Sequence, residues 1–483
     1  MTPPGRDGDR GFTHMSRVAR AAGSALLVLV LLALIVPLGF HWSGASFPAM
    51  PGPAVSTPPW QLPPSTPAPQ SGSLRSGAPQ PSSSALSALL AKTLVPDGAG
   101  SFSAQVLDAE TGAVLYSRTA GEARTPASNM KLLTAAAALQ ALGPDSRFTT
   151  EVVRTGPSSL TIRGGGDVLL TAGTSQPDEI MGHAGLATLA TRTVAQLRAA
   201  GVKGKVSVAG DDGLFSGPAL NPAVDPGDVE AGETAPVAPM ALNSARTDPD
   251  VLTGPRPQDQ TATVVKAFLA ALTTAGATGG SPLTFVAGGK AGSGEVLAGV
   301  ESATVAEQVS WMLQHSDNFL TDVLGRMVAV KSGRPGSYAG AIAAVRSELD
   351  QLGLDTRGMV IADLSGLSAA NRVSPAQFAA LIRLMTTGSN AALRSALDGF
   401  PVAGLSGTLN ARYGDASSRG GAGLVRAKTG TLNTVLSLSG YVVDADGRLL
   451  VFSFIGNGLT PGAAGNKAAL DDSATVLAGC GCR

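Results

Sequence analysis

The chain has 483 residues, with 35 lysines and arginines balanced by 35 aspartates and glutamates. Zero formal charge excludes the basic footprint of a nucleic-acid-binding protein, and the length allows a large buried core and more than one domain. Two cysteines, Cys480 and Cys482, are too few for a disulfide framework, and four scattered histidines with no His-Glu-x-x-His pattern offer no zinc site; no cofactor is expected, and a metal site would have to be built from carboxylates alone.

The first segment reads as an address. Arg6, Arg10, Arg17 and Arg20 precede "AAGSALLVLVLLALIVPLGF", residues 21–40, which carries no charge and is just long enough to span a bilayer. Basic residues before such a segment keep residues 1–20 cytoplasmic and export the remainder of the chain. Met15, if it is the true start, leaves the short basic head of an export signal. "SGASFPA" has small residues but no clear Ala-x-Ala site, which favours an uncleaved anchor over a cleaved signal peptide. Residues 41–83 are dominated by Pro, Ser and Gly without apolar periodicity, as in an extended spacer. The expected location is extracytoplasmic, either anchored in the membrane or secreted to the cell wall or periplasm.

A folded pattern begins near Ser84. "ALSALLAKTL" predicts a helix, and "FSAQVLDAETGAVLYSRTA" a hairpin turning at Gly112. The Ala/Leu-rich helix behind Ser128 is next. "FTTEVVRTGPSSLTIRGGGDVLL" predicts a second hairpin turning at Gly156 and Pro157. Helical spacing recurs near 184–200, 261–275, 304–330 and 338–352, and "LSLSGYVVDADGRLLVFSFIGN" predicts a last hairpin around Asp446-Gly447. Asp444 and Asp446 invite a calcium reading, but the run is too short for an EF-hand loop and suits a turn. Strands at both ends with helices between predict a mixed α/β (α+β) domain whose sheet uses both ends of the folded region. Cys480 and Cys482 can pair only with strain at one-residue spacing, and free or intermolecular thiols are equally compatible.

In "TPASNMKLLTAAAAL", residues 125–139, Pro126 limits where the helix starts, so Ser128 falls in or just before its first turn. Lys131, three residues on, shares its face. The bland alternative is a solvated lysine on an amphipathic helix. The chemical one is a hydroxyl nucleophile with its own base, which requires a neutral amine and therefore desolvation or a nearby cation. Two further motifs favour chemistry. Ser316-Asp317-Asn318 lies between two helical runs, and Lys428-Thr429-Gly430 enters a β pattern. Alone, the first reads as a helix cap and the second as a strand end. His315 beside Ser316 suggests a Ser-His-Asp triad, but there is no Gly-x-Ser-x-Gly elbow, and a loop or cap histidine fits better.

In this order and context, Ser-x-x-Lys, Ser-Asp-Asn and Lys-Thr-Gly resemble the signature of penicillin-recognising serine enzymes. The long stretch between the first two motifs, and the absence of a glutamate at the class A β-lactamase offset near "APMALNSAR", narrow this further. The chain resembles the D-Ala-D-Ala carboxypeptidase/endopeptidase family, the class C low-molecular-mass penicillin-binding proteins. The resemblance also rests on "RGGGDVLL" (163–170), "AGDDGLFSGPALNPA" (209–223), "MALNSAR" (240–246), "IADLSGLSAANRVSP" (361–375) and "FPVAGLSGTLNAR" (400–412). Val168 stands where proline is usual and Leu364 where glycine is usual.

The resemblance implies a penicillin-binding transpeptidase/β-lactamase-like domain over 84–150 and 301–483. It also implies an accessory region, 151–300, inserted between the first and second motifs. Its partners would be peptidoglycan stem peptides, β-lactams and, through the N-terminal segment, the membrane. Ser128 would be the nucleophile and Lys131 its base, and Ser316 would relay a proton between Lys131 and the leaving group. Asn318 would hold the substrate amide and Lys131. Lys428 would lower the Lys131 pKa and, with Thr429, bind the substrate carboxylate. Gly430 would let the strand approach the ligand, and the amides of Ser128 and Thr431 would form an oxyanion hole. A β-lactamase, or a catalytically weak peptidoglycan-binding protein, is the alternative.

Overall fold

The computed structural model describes residues 73–251, 253–277 and 283–481. The predicted anchor (21–40) and most of the spacer lie outside these residues. Among the described residues no helix is long and apolar enough to cross a membrane.

After a first helix α1 (Ser83–Thr93), strands β1 (Ser101–Asp108) and β2 (Val114–Arg118) form the first hairpin. Helix α2 (Met130–Leu142) comes after it. Strands β3 (Thr149–Gly156) and β4 (Ser159–Arg163), helix α3 (Leu186–Ala199), strand β5 (Gly204–Asp211), helix α4 (Gln260–Ala277) and strands β6 (Leu283–Ala287) and β7 (Glu295–Glu301) are next. Helices α5 (Val305–His315), α6 (Asn318–Lys331), α7 (Tyr338–Gln351) and α8 (Pro375–Thr387) precede strands β8 (Arg426–Leu432), β9 (Val435–Val443) and β10 (Leu449–Asn457), and helix α9 (Lys467–Ala478) ends the fold.

The first sheet has the order β2-β1-β10-β9-β8 and is antiparallel throughout. Its first and last strands in sequence are joined, Ser101 opposite Asn457 and Asp108 opposite Leu450. Alternate residues of β10 enter different cores. Val451 and Ile455 pack with α2 and α5–α8, while Phe452 and Phe454 pack with α1 and α9. Helix α2 is buried on all sides from Met130 to Leu139, as its near-continuous Ala/Leu run requires, and Lys131 is the one charge in it.

The second sheet has the order β6-β5-β4-β3-β7, with parallel β4–β5 and β5–β6 pairs and antiparallel β3–β4 and β3–β7 pairs. Thr149 of β3 pairs with Glu301 of β7, so the chain enters and leaves this sheet through neighbouring strands. Helices α3 and α4 share its core, with Leu189, Val194, Phe268 and Leu272 against Ile162 and Val208.

Several elements differ from the sequence expectation. The 304–330 pattern is two helices, broken at Ser316, whose φ is 54°. The second hairpin turns at Pro157-Ser158, with Gly156 still paired in β3. Helix α8 was not predicted, although Pro375 at its start and the Ser374–Gln377 capping box announce it; helix α9 and strands β5–β7 were also not predicted. Residues 73–82, read as spacer, lie against the fold. Arg75 N donates to Gly447 O (3.0 Å), Arg448 Nη1 to Ala78 O (3.2 Å) and Gln80 Nε2 to Asp108 Oδ2 (3.1 Å). Cys480 is disulfide-bonded rather than free. Asp444 Oδ1 accepts from the amides of Asp446 and Arg448, which is turn chemistry.

Candidate active site

Ser128 lies in a single 3-10 turn, Ala127–Asn129, at the head of α2. Ala127 is held at φ 48°, a left-handed conformation that costs a non-glycine residue about 1–2 kcal/mol. The first sheet supports it. Ser437 Oγ donates to Pro126 O (2.7 Å), and Asn129 Nδ2 to Ser439 Oγ (2.6 Å), which shares a hydrogen bond with Ser453 Oγ (2.8 Å). This buried polar chain ties the turn to β9 and β10. Ser128 itself is half-buried and reachable.

Lys131 is fully buried, and its Nζ lies 3.0 Å from Ser128 Oγ, 2.6 Å from Asn318 Oδ1 and 2.6 Å from Ser365 O. Burial lowers its pKa to about 8, against the opposing pull of Asp363, Asp317, Asp322 and Glu233. A neutral amine has two hydrogens and one lone pair. Asn318 and Ser365 are acceptors that occupy both hydrogens, which leaves the lone pair for the Ser128 hydroxyl. The loop carrying Ser365 is knotted around Asp363, whose carboxylate accepts from the amides of Gly366, Leu367 and Ser368 and from Asn371 Nδ2. A Cβ on Gly366 (φ 92°) would meet Ala127 O at 2.0 Å, so glycine is required there.

The second motif turns between two helices. Ser316 ends α5 in the left-handed region, Asp317 caps α6 and Asn318 begins it. Asn318 is engaged at both ends, since its Nδ2 donates to Glu233 O (3.0 Å). Ser316 Oγ accepts from Lys428 Nζ (2.9 Å), and no hydrogen bond joins it to Lys131 among the described residues. His315 stacks on Trp311 with ring centroids 3.8 Å apart and donates from Nδ1 to Trp311 O, ending α5 as a cap rather than serving Ser128.

The third motif lies on β8, an edge strand. Lys428 is fully buried and donates to Thr429 O as well as Ser316. Burial, then the neighbouring Lys131, hold its pKa well below the lysine range. Burial is the largest cause of the lowering at both lysines, and the two amines repel each other. Thr429 Oγ1 shares a hydrogen bond with Thr408 Oγ1 (2.7 Å), and Thr431 is exposed. A Cβ on Gly430 would come within 2.2 Å of Ser437 Oγ, 2.8 Å of Pro126 O and 3.0 Å of Ser128 N. The strand backbone thus runs directly beside the serine amide. Ser128, Lys131, Ser316, Asn318, Lys428, Thr429 and Gly430 converge, and Thr431 continues the strand at the open edge.

A model of the D-Ala-D-Ala carboxypeptidase 3 (S13) family matches residues 85–266 and 254–477. The chain belongs to the D-Ala-D-Ala carboxypeptidase family. Within that family it is 35% identical over 483 residues to carboxypeptidase DacB of Mycolicibacterium smegmatis, covering 98% of each chain. It is 30% identical to a D-alanyl-D-alanine carboxypeptidase of an Actinomadura species, over 73% of this chain and 77% of that one. Its fold is that of penicillin binding protein 4 from Haemophilus influenzae, with a TM-score of 0.64 at 21% identity over 81% of this chain and 98% of that one.

Both departures of this carboxypeptidase from the usual family pattern are buried. Val168 packs in the main core, and Leu364 fills the space left by Gly325, where a Cβ would come within 2.2 Å of its Cδ1. Sequence reasoning missed Ser365, Asp363, Glu233 and the pair Ser244 and Arg246. Ser244 Oγ donates to Asp317 Oδ1 (2.8 Å) and Arg246 Nη2 to Asp317 Oδ2 (2.9 Å). Two of these residues lie inside the quoted run "MALNSAR", but spacing alone gives no sign that it reaches the second motif.

Proposed function

We propose that the chain is a serine DD-peptidase that acts on peptidoglycan stem peptides outside the cytoplasm. The observation that carries the mechanism is the fully buried Lys131 amine 3.0 Å from Ser128 Oγ, lowered to about 8 and held by two acceptors. Ser128 Oγ attacks the carbonyl between two D-alanines as its proton passes to Lys131 Nζ. The oxyanion is received by the amides of Ser128 and Thr431, a role supported by the close approach of β8 to Ser128 N. The Lys131 proton then goes to the leaving nitrogen, by way of Ser316 Oγ once substrate draws that hydroxyl in. The C–N bond breaks, D-alanine departs and an acyl-enzyme remains. Water, deprotonated by the same lysine, releases the shortened peptide. If the leaving amine belongs to a cross-linked neighbouring stem, the same steps give endopeptidase action.

Lys428, bonded to Ser316 and backed by Thr429, is the cation placed to receive the substrate's terminal carboxylate, which restores its proton on binding. Asn318 serves Lys131, its Nδ2 being occupied by Glu233. The basic apolar segment at residues 6–40 supports membrane anchoring of the unit. The test is labelled penicillin with adduct mapping, together with D-alanine release from an acyl-D-Ala-D-Ala peptide. A stable adduct on Ser128 with D-alanine release is expected. Rapid multiple turnover of penicillin without D-alanine release would make the protein a β-lactamase, and an adduct elsewhere would remove Ser128 from the mechanism.

A further inference from the structure

Asp317, the middle residue of the second motif, has more partners than a helix cap needs. Its Oδ1 accepts the Leu320 amide (3.1 Å), as a cap does, and also Ser244 Oγ, while its Oδ2 faces Arg246 Nη2. The Arg246 and Asp317 side chains are 5% and 0% exposed, so an ion pair has been taken almost wholly out of water. Ser244 is presented by an unusual backbone. Asn243, Ser244 and Ala245 are consecutive non-glycine residues with φ of 52°, 56° and 58°. The turn is held in that shape from outside: Asn243 N donates to Leu170 O, Ser244 N to Val168 O, and Arg256 Nη1 to Ser244 O. A strained turn clamped on one side to the segment after β4 thus grips the motif on the other. Immediately beyond the gripped residue, Asn318 Oδ1 meets the Lys131 amine at 2.6 Å.

We infer that Ser244 and Arg246 are positioning residues for the base: acting through Asp317, they fix Asn318 against Lys131, and Arg246 neutralises a buried carboxylate that would otherwise hold the Lys131 proton. This rests on the reading of Lys131 as the base. The charged groups facing Lys131 are Asp317 and Asp322 on α6, Asp363 on the 361–375 loop, Glu233 before the strained turn and Lys428 on β8. Asp317 is the one among them that Arg246 pairs with directly, and Arg256 also acts on it. Removing Arg246 leaves more negative potential at the amine, raises its pKa and shifts the rising limb of the rate to higher pH.

The experiment measures the acylation rate by labelled penicillin across pH, on the full chain, per active site counted at saturating label. Arg246→Gln is expected to slow acylation about tenfold and to move the rising limb up by about one pH unit. Arg246→Lys, which keeps the charge but loses the planar fork, returns the limb to its wild-type position with a partial rate. Ser244→Ala is expected to lose about three- to tenfold with the limb unmoved. A wild-type limb and rate per site in Arg246→Gln would overturn the inference, whatever its melting temperature, since the pair would then only brace the fold. If that variant does not fold, wild-type rates in both Arg246→Lys and Ser244→Ala overturn it. Failure of the wild-type chain to label Ser128 would instead remove the base reading beneath it.

Discussion

The two five-stranded sheets are built for different work. In the first, β9 and β10 are buried along nearly their whole length because helices cover both faces. In the second, β6 and β7 alternate buried and exposed residues, as a sheet with one face in water does. These two strands therefore have no solvent face, and the polar groups they carry inward must be paired. Ser437, Ser439 and Ser453 are paired, and they hold the turn that carries Ser128. The second sheet supplies no member of the three motifs. It contributes loops, which reach Asp317 through Ser244 and Arg246 and Asn318 through Glu233. A double-covered sheet fixes the reacting atoms, and a single-covered one supports the groups that adjust them.

This division can be broken most directly at the head of α2. Ser128→Ala should abolish covalent labelling by penicillin, and Lys131→Ala should cut acylation about 10²- to 10⁴-fold, both with a native melting curve. Normal labelling of the lysine variant would mean that another group takes the proton. Gly430→Ala comes next. Its added carbon meets Ser437 Oγ and Pro126 O, so β8 must move away from Ser128, and acylation should fall about 100-fold while the circular dichroism spectrum stays native. A wild-type rate there would show that the sheet does not set the distance.

The pH profile sharpens the same point. Lys131 acts as a base when deprotonated, so acylation should climb as pH rises through about 8 and level off above it. The lowered pKa of Lys428 acts in the other direction, weakening carboxylate binding as that amine loses its proton, so KM for a D-Ala-D-Ala peptide should rise with alkalinity.

Two changes outside the three motifs and the Ser244–Arg246 support should affect stability before rate. Asp167, beyond β4, is buried, its Oδ2 has no hydrogen-bond partner, and burial raises its pKa to about 7. Its folded-state pKa lies above the unfolded value, so the folded protein holds the proton more tightly and loses stability as pH rises from about 4 to 7. Asp167→Asn should therefore raise the melting temperature by about a few degrees above neutrality, with a smaller gain in acid. An equal gain at both pH values would show that the carboxyl is not neutral in the fold. A truncated chain beginning at residue 84 should melt below one beginning at residue 73, because it loses the contacts of Arg75, Ala78 and Gln80; equal melting would return residues 73–82 to the spacer.

The motifs were legible because each couples a reactive side chain to a local structural signal: a helix start, a helix junction, a strand. That one sheet draws on both ends was legible because strand patterns frame the folded region, but which strands pair was not. The hidden features depend on contacts between distant segments. Little in "ALNSAR" announces three left-handed residues, since only Asn visits that region readily and the turn is enforced by Val168, Leu170 and Arg256. Ser365 acts through its carbonyl, which side-chain identity does not report. That burial is the largest cause of the lowered pKa at both lysines was not legible, because burial cannot be ranked from spacing. Helix α8 is the exception, a local element whose capping box stands in plain view in the sequence.

The joining of β1 to β10 also sets a timetable. Ser128 and Lys131 leave the ribosome early, in the first third of the chain, but the strands that hold their turn are the last ones made. Pairings across so long a stretch of sequence form slowly, because the loop must close before any contact stabilises it. A nascent chain that still lacks Ser437 and Ser439 has its nucleophile and base in sequence but no frame to hold them in register. The support of the Ser128 turn therefore exists only once the final hairpin has docked onto β1.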